Sequence, residues 1–180
     1  MAETTKAETT KLVNRIVINA PIQKVWDTLT KSGELQPFFF NSVLHTTSLA
    51  PGAPVRMRSP DGKYTGVVGE VLELDPPYRY SMTFKFTNFD DPVCKVTHVL
   101  KEIEGGTEYT LISEEIPKGT KTEKQMAQGG SFIVRTLKGV VETGRPPFGS
   151  RMLLTLIKCF AWATPKVCLS ENWPLDRKIT

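Results

Sequence analysis

The sequence predicts a single α+β domain in which an antiparallel sheet packs against one long C-terminal helix. Three features lead to this prediction. Apolar and polar residues alternate through much of positions 42–116, turn residues interrupt that pattern repeatedly, and helical spacing of apolar residues takes over at Thr120. The chain has 180 residues, of which 39% are hydrophobic, and this is enough for one core of that kind.

The first elements are read from residues 1–40. Residues 1–10 are polar and repeat the tripeptide Ala-Glu-Thr, so we expect a disordered tail. A β-branched run over 13–18 predicts a strand, and Pro21 then allows a helix to begin. Four apolar residues follow at helical spacing: Ile22, Val25, Trp26 and Leu29. Residues 34–40 are expected to add a short helical turn, in which Phe38 or Phe40 would gate a cavity.

The middle of the chain is predicted to be a meander of five or six strands. Apolar and polar residues alternate almost regularly over residues 80–86, and residues 94–101 show the same pattern. Turn pairs such as Asp61-Gly62 and Gly105-Gly106 separate these segments.

A long amphipathic helix is predicted from Thr120 to Gly144, and it would cover the apolar face of the sheet. Gly129 and Gly130 in its middle each disfavour the helix by about 1 kcal/mol relative to alanine. Residues 11–145 are therefore predicted to form the main domain, and residues 146–180 a basic helical extension.

Charge and cysteine content exclude several classes of function. Residues 145–180 hold six Lys and Arg residues against two acidic ones, which accounts for the whole net charge of +4. A neutral main domain does not predict a nucleic-acid binder. The three cysteines are irregularly spaced and predict neither disulfides nor a zinc site. With no apolar run near the start, the sequence predicts no secretory signal and a cytoplasmic protein.

Three stretches of the sequence resemble the START-like helix-grip (SRPBCC) superfamily, in particular its branch similar to the C-terminal domain of the activator of Hsp90 ATPase. They are Ile18–Leu29 (INAPIQKVWDTL), Gly69–Phe84 (GEVLELDPPYRYSMTF) and Leu137–Gly144 (LKGVVETG). The resemblance implies a curved antiparallel sheet wrapped around the long helix, with a cavity between them. It also implies binding of a hydrophobic small molecule or lipid, although some members are cyclases and the eukaryotic namesakes assist a chaperone.

One position departs from the family pattern. Where family members usually carry a bulky aromatic residue, this sequence has Gly130. We expect the missing side chain to widen the cavity, unless Phe132 or Phe38 fills the same volume.

We expect the cavity to bind its hydrophobic ligand without catalysis, cofactor or metal. The residues predicted to contact the ligand are Phe38, Phe40, Met57, Tyr80, Met82, Phe84, Phe86, His98, Leu111, Met126, Gly130 and Ile133. Among these, His98 is either a polar anchor for the ligand or a core histidine bonded to the backbone.

Two other functions stay open at this point. A cyclase-like or hydrolase-like enzyme would use His98 with Tyr80 or Glu115 for proton transfer, and a nucleophilic pair of Cys94 and His98 is a further variant. The alternative without a cavity function is a module that modulates a chaperone, as the family resemblance suggests.

The extension also has three interpretations. Residues 151–163 form an apolar stripe interrupted by Lys158, too short to span a bilayer. The stripe could pack on its own domain as a lid, form a homodimer interface, or lie on an anionic membrane surface.

Overall fold

In the computed structural model, residues 8–179 form eight strands and three α-helices connected by turns and short 3₁₀ segments. The elements are β1 (Thr9–Ile18), α1 (Ile22–Thr30), β2 (Leu35–Gln36), β3 (Ser42–Thr46), β4 (Pro54–Arg58), β5 (Thr65–Asp75), β6 (Arg79–Phe86), β7 (Cys94–Ile103), β8 (Gly106–Pro117), α2 (Lys121–Thr143) and α3 (Phe148–Cys159). Residues 1–7 of the expected disordered tail lie outside the described residues, and β1 already begins at Thr9.

The strands form one curved antiparallel sheet with the order β1-β8-β7-β6-β5-β4-β3-β2. The six strands from β3 to β8 follow one another in the sheet as they do in the chain, which confirms the predicted meander. Register pairs Tyr80 with His98 and Met82 with Val96, so the alternating apolar residues of β6 and β7 share one face.

Helix α2 lies against that face and is bounded by the residues that the sequence indicated. The hydroxyl of Thr120 accepts a hydrogen bond from the backbone N–H of Glu123, which caps the start of the helix. Gly144 ends the helix in the left-handed region, at a φ of 73°. Because Val134, Leu137 and Val141 are buried toward the sheet, the sheet and α2 share one core, as the helix-grip prediction requires.

The C-terminal extension passes from α2 to the outer face of the sheet. Leu154 is the buried residue of α3, and further along Leu169 forms a bridge with Tyr64, next to β5. Trp173 is then buried beside β4, where its carbonyl accepts a hydrogen bond from Arg56. Among residues 8–179, no helix has both the length and the apolar character that crossing a bilayer requires.

Candidate functional site

A cavity of about 480 Å³ lies between the concave face of the sheet and α2. Its walls are mostly apolar, and the described residues that line it include no Asp, Glu, Lys or Arg. The large apolar side chains around it are Phe39, Phe40, Val67, Phe84, Phe86, Val96, Leu111, Met126, Ile133 and Ile157. A charge buried here would therefore have no counter-ion from the wall.

The structure brings eight of the twelve predicted ligand-contact residues to this cavity. They are Phe40, Phe84, Phe86, His98, Leu111, Met126, Gly130 and Ile133. The other four are placed in the surrounding core instead: Phe38, Met57, Tyr80 and Met82. The hydroxyl of Tyr80 contacts the sulfur of Met82 at 3.3 Å, so these two side chains pack on each other beside the cavity.

The expectation for Gly130 has to be corrected. A Cβ atom added at this position would lie only 2.2 Å from Nδ2 of Asn14, which projects from β1. The space beside Gly130 is thus occupied by Asn14, and neither Phe132 nor Phe38 takes that place. A side chain at position 130 would have to displace the amide of Asn14, so the missing side chain makes room for Asn14 and does not widen the cavity.

The turn before β3 forms one wall of the cavity. Phe40 adopts the left-handed region with a φ of 55°, which is unusual for a bulky residue. Its ring stacks on Phe132 of α2 with a centroid distance of 4.5 Å. Phe39 meets Phe84 of β6 edge to face at 6.4 Å. These aromatic contacts tie the turn to both the helix and the sheet, so the wall is fixed from two sides.

His98 is a buried titratable group of the cavity wall. Its ring lies parallel to the rings of Tyr80 and Tyr109, at centroid distances of 5.5 and 6.0 Å. Nδ1 of His98 and the hydroxyl of Tyr109 are 2.8 Å apart and share a hydrogen bond. Burial lowers the pKa of His98 to about 4, so the imidazole is neutral at pH 7.

The hydrogen bond to Tyr109 fixes which nitrogen of His98 carries the proton. Burial raises the pKa of Tyr109, so its phenol stays protonated and has one hydrogen to donate. Within residues 8–179 the hydrogen-bond partner of that hydroxyl is Nδ1 of His98. Leaving the buried O–H of Tyr109 without an acceptor would be costly, so it donates to Nδ1 of His98. Nδ1 therefore carries no proton, and the ring proton is on Nε2. His98 can therefore offer an N–H donor to a molecule in the cavity.

The groups considered as partners of His98 in catalysis do not converge on it. Tyr80 stacks on the imidazole but directs its hydroxyl to Met82. Glu115 is exposed, at a φ of 58° where the pairing of β8 with β1 shifts register. The Cys94 thiol contacts the carbonyl of Phe84 at 3.4 Å, and burial raises its pKa to about 12.

The predicted ligand-contact residues included none from the extension, although packing on its own domain as a lid was one of the three interpretations of residues 151–163. Ile157 of α3 and the later residues Thr164, Pro165 and Cys168 all line the cavity. These residues lie 27 or more positions beyond Gly130 in the chain, and no local pattern in the sequence marks their return to the sheet. The extension thus closes one side of the site.

Arg56 holds the extension in place on the outer face of the sheet. Its side chain is fully buried and donates to the carbonyl of Arg177 at 2.6 Å and to that of Pro174 at 3.0 Å. It also donates to Val55 and Gly69 in the sheet, at 2.9 and 3.3 Å. The buried guanidinium is therefore satisfied by main-chain oxygens on both sides.

A curved antiparallel sheet that grips a C-terminal helix and encloses an apolar cavity defines a START-like helix-grip protein. Comparison with protein families gives the more specific assignment. The family model described as "Activator of Hsp90 ATPase homolog 1-like protein" matches residues 19–142, and the chain belongs to this family. A comparison with curated proteins gave no match.

Solved structures share this fold at low sequence identity. DynU16, a protein in the dynemicin biosynthetic locus, is 24% identical, with a TM-score of 0.60 over 76% of this chain and 48% of its own. This chain thus spans about half of DynU16. CalU16 from Micromonospora echinospora is 17% identical, with a TM-score of 0.58 over 90% of this chain and 91% of its own. The Aha1 dimer from Colwellia psychrerythraea is 16% identical, with a TM-score of 0.60 over 75% and 98%.

Proposed function

We propose that this protein binds an uncharged hydrophobic small molecule or lipid in the cavity between the sheet and α2, without transforming it. The cavity itself is the observation that supports this function. Its volume of about 480 Å³ falls in the range of small-molecule sites. Burial of apolar ligand surface contributes about 25 cal/mol per Å² before ordering costs are subtracted.

The polar groups of the cavity narrow the class of ligand. Without a Lys or Arg among the described lining residues, a buried carboxylate or phosphate would have no counter-ion. Nε2 of His98 supplies an N–H donor, because Nδ1 is engaged by Tyr109. The ligand class that fits is an apolar body with a hydrogen-bond acceptor, such as a carbonyl or ether oxygen, that reaches His98.

Binding is favoured over a cyclase-like or hydrolase-like reaction by the state of the titratable groups. The Cys94 thiol has a raised pKa, Glu115 lies outside the cavity, and His98 is a poor base with a pKa near 4.

The chaperone-modulating alternative rests on family membership alone. We place the protein in the cytoplasm, since its three cysteines are free.

A cavity-filling substitution with a matched control tests the proposal. Val96→Phe adds a ring at a buried wall position, whereas Val13→Phe makes the same chemical change at an exposed position of β1. The probe is N-phenyl-1-naphthylamine, an uncharged dye whose fluorescence rises in apolar surroundings. We expect the parent and Val13→Phe to bind it equally and Val96→Phe to bind at least about tenfold more weakly.

Two further measurements keep this test decisive. Thermal unfolding shows whether each variant is folded. If Val96→Phe does not fold, Ser113→Leu replaces it as the variant of the cavity wall. Organic extraction and mass spectrometry of the purified protein look for a retained neutral, apolar compound. Equal dye binding by the parent and a folded wall variant would place binding elsewhere and refute the proposed site.

A further inference from the structure

Helix α3 turns its apolar side away from the domain. Leu154 is buried, and with 100° per residue it lies about 160° around the helix from Met152 and from Leu156. Those two residues are 59% and 51% exposed. Phe160 and Trp162, at the end of the helix, are 62% and 79% exposed. Among residues 8–179 this outward surface, which we call the α3 face, concentrates the exposed large apolar side chains.

The segment that carries the α3 face has charges of one sign. Between Glu142 and Glu171 the chain contains no acidic residue, but it contains four basic ones: Arg145, Arg151, Lys158 and Lys166. On the helical wheel Arg151 and Lys158 lie within about 20° of each other, about 100° or more from Met152 and from Leu156, on the other side of the helix. An apolar, aromatic side with basic residues on the other side is the pattern of a helix that lies in a membrane interface.

We propose that the α3 face docks the protein on an anionic lipid surface. The helix has 12 residues, too few to span a bilayer, so it would lie in the plane of the interface. A second copy of the chain fits less well, since residues 143–170 carry only basic charge and would supply no acidic partner across a two-fold contact. Anionic lipid headgroups complement the basic residues, and the acyl region accepts Met152, Leu156 and Trp162.

Docking of the α3 face on a membrane also bears on the cavity ligand, and this part of the inference rests on the proposed function. Ile157 is 41% exposed on α3, yet it also lines the cavity together with Thr164 and Pro165. A membrane against the α3 face would therefore lie next to the part of the cavity wall that the extension supplies. The ligand class becomes a neutral lipid or another molecule that dissolves in a bilayer.

Vesicle binding tests the docking without reference to the cavity ligand. Trp162 is exposed whereas Trp26 and Trp173 are 6% and 8% exposed, so a change in tryptophan fluorescence reports on the α3 face. We expect a blue shift and co-sedimentation with vesicles of phosphatidylcholine and phosphatidylserine, reduced by high salt. Vesicles of phosphatidylcholine alone should bind more weakly.

Variants separate the contributions to this binding. Phe148→Ser with Phe160→Ser removes exposed aromatic rings, and Arg151→Gln with Lys158→Gln removes two charges. We expect each pair to weaken binding at least about tenfold, while the control Leu72→Ser, an exposed position on β5, leaves it unchanged.

Three results would overturn the proposal. They are no binding of the parent to phosphatidylserine vesicles, binding by both variant pairs as strong as that of the parent, and a concentration-dependent dimer that the phenylalanine pair abolishes. The last result would assign the α3 face to a second copy. Loss of vesicle binding with intact dye binding in the cavity, or the reverse, distinguishes failure of this proposal from failure of the ligand site.

Discussion

Acidification should destabilise this protein, and one side chain, His98, should account for a measurable part of the loss. Burial lowers the pKa of His98 from 6.5 to about 4, so the unfolded chain binds a proton at this residue more readily than the native protein does. Stability rises with pH wherever the unfolded state holds more protons. The contribution of His98 is therefore complete above about pH 6.5 and is lost as the pH falls toward about 4.

The size of the effect follows from the two pKa values. At about pH 4.5 the linkage relation gives a loss of about 2 to 3 kcal/mol relative to neutral pH. That is a large share of the roughly 5–15 kcal/mol that stabilises an ordinary domain. Carboxylates also contribute in acid: side-chain hydrogen bonds from Lys11 and Lys138 lower the pKa of Glu114 and Glu142. A difference between variants is needed to isolate His98.

Urea unfolding followed by circular dichroism, at about pH 7.5 and about pH 4.5, measures the loss. The parent should lose about 2 to 3 kcal/mol more than His98→Gln, which cannot titrate. The matched control His45→Gln removes a half-buried histidine and should keep most of the acid loss. If His98→Gln loses as much stability as the parent over this range, His98 is not buried as a neutral group.

Two further predictions concern the packing around the cavity. Arg56→Met removes the donor of three extension carbonyls and should lower the free energy of unfolding by about 3 kcal/mol, at about 1 kcal/mol for each bond. The same variant should loosen the extension, so that trypsin cleaves the folded protein after the already exposed Lys166 faster than it cleaves the parent. An unchanged digest would show that Arg56 does not hold the extension. Gly130→Ala should gain nothing in the parent, because its Cβ meets Asn14, but in an Asn14→Ala background it should stabilise the helix by about 1 kcal/mol. Equal effects of Gly130→Ala in the two backgrounds, measured by urea unfolding, would mean that the two residues do not conflict.

Local patterns in the sequence were sufficient for the fold. Period-two alternation placed β6 and β7, and it put Phe84, Phe86 and His98 on the face that the cavity uses. Helical spacing together with Gly144 located α2 and its end. These signals are local, and each depends on burial of one face of a single element.

The remaining features depend on how distant segments meet. Alternation determines the face of a strand but not the depth at which a side chain lies, so Tyr80 and Met82 were expected in the cavity although they pack in the core. The partner of His98, Tyr109, lies on the neighbouring strand, and the close approach of Asn14 to Gly130 joins residues 116 positions apart. Arginine is ordinarily a surface residue, but Arg56 is buried where the distant extension packs against the sheet.

Arg56 holds the extension through its backbone and not through its side chains. Its contacts to the extension end on backbone oxygens, which every amino acid carries in the same position. Pro174 and Arg177 therefore matter for the course of the chain more than for their side chains, although the ring of Trp173 also stacks under the guanidinium of Arg177 at 4.5 Å. Substitutions at Pro174 and Arg177 that keep the course of the backbone should therefore leave these hydrogen bonds in place.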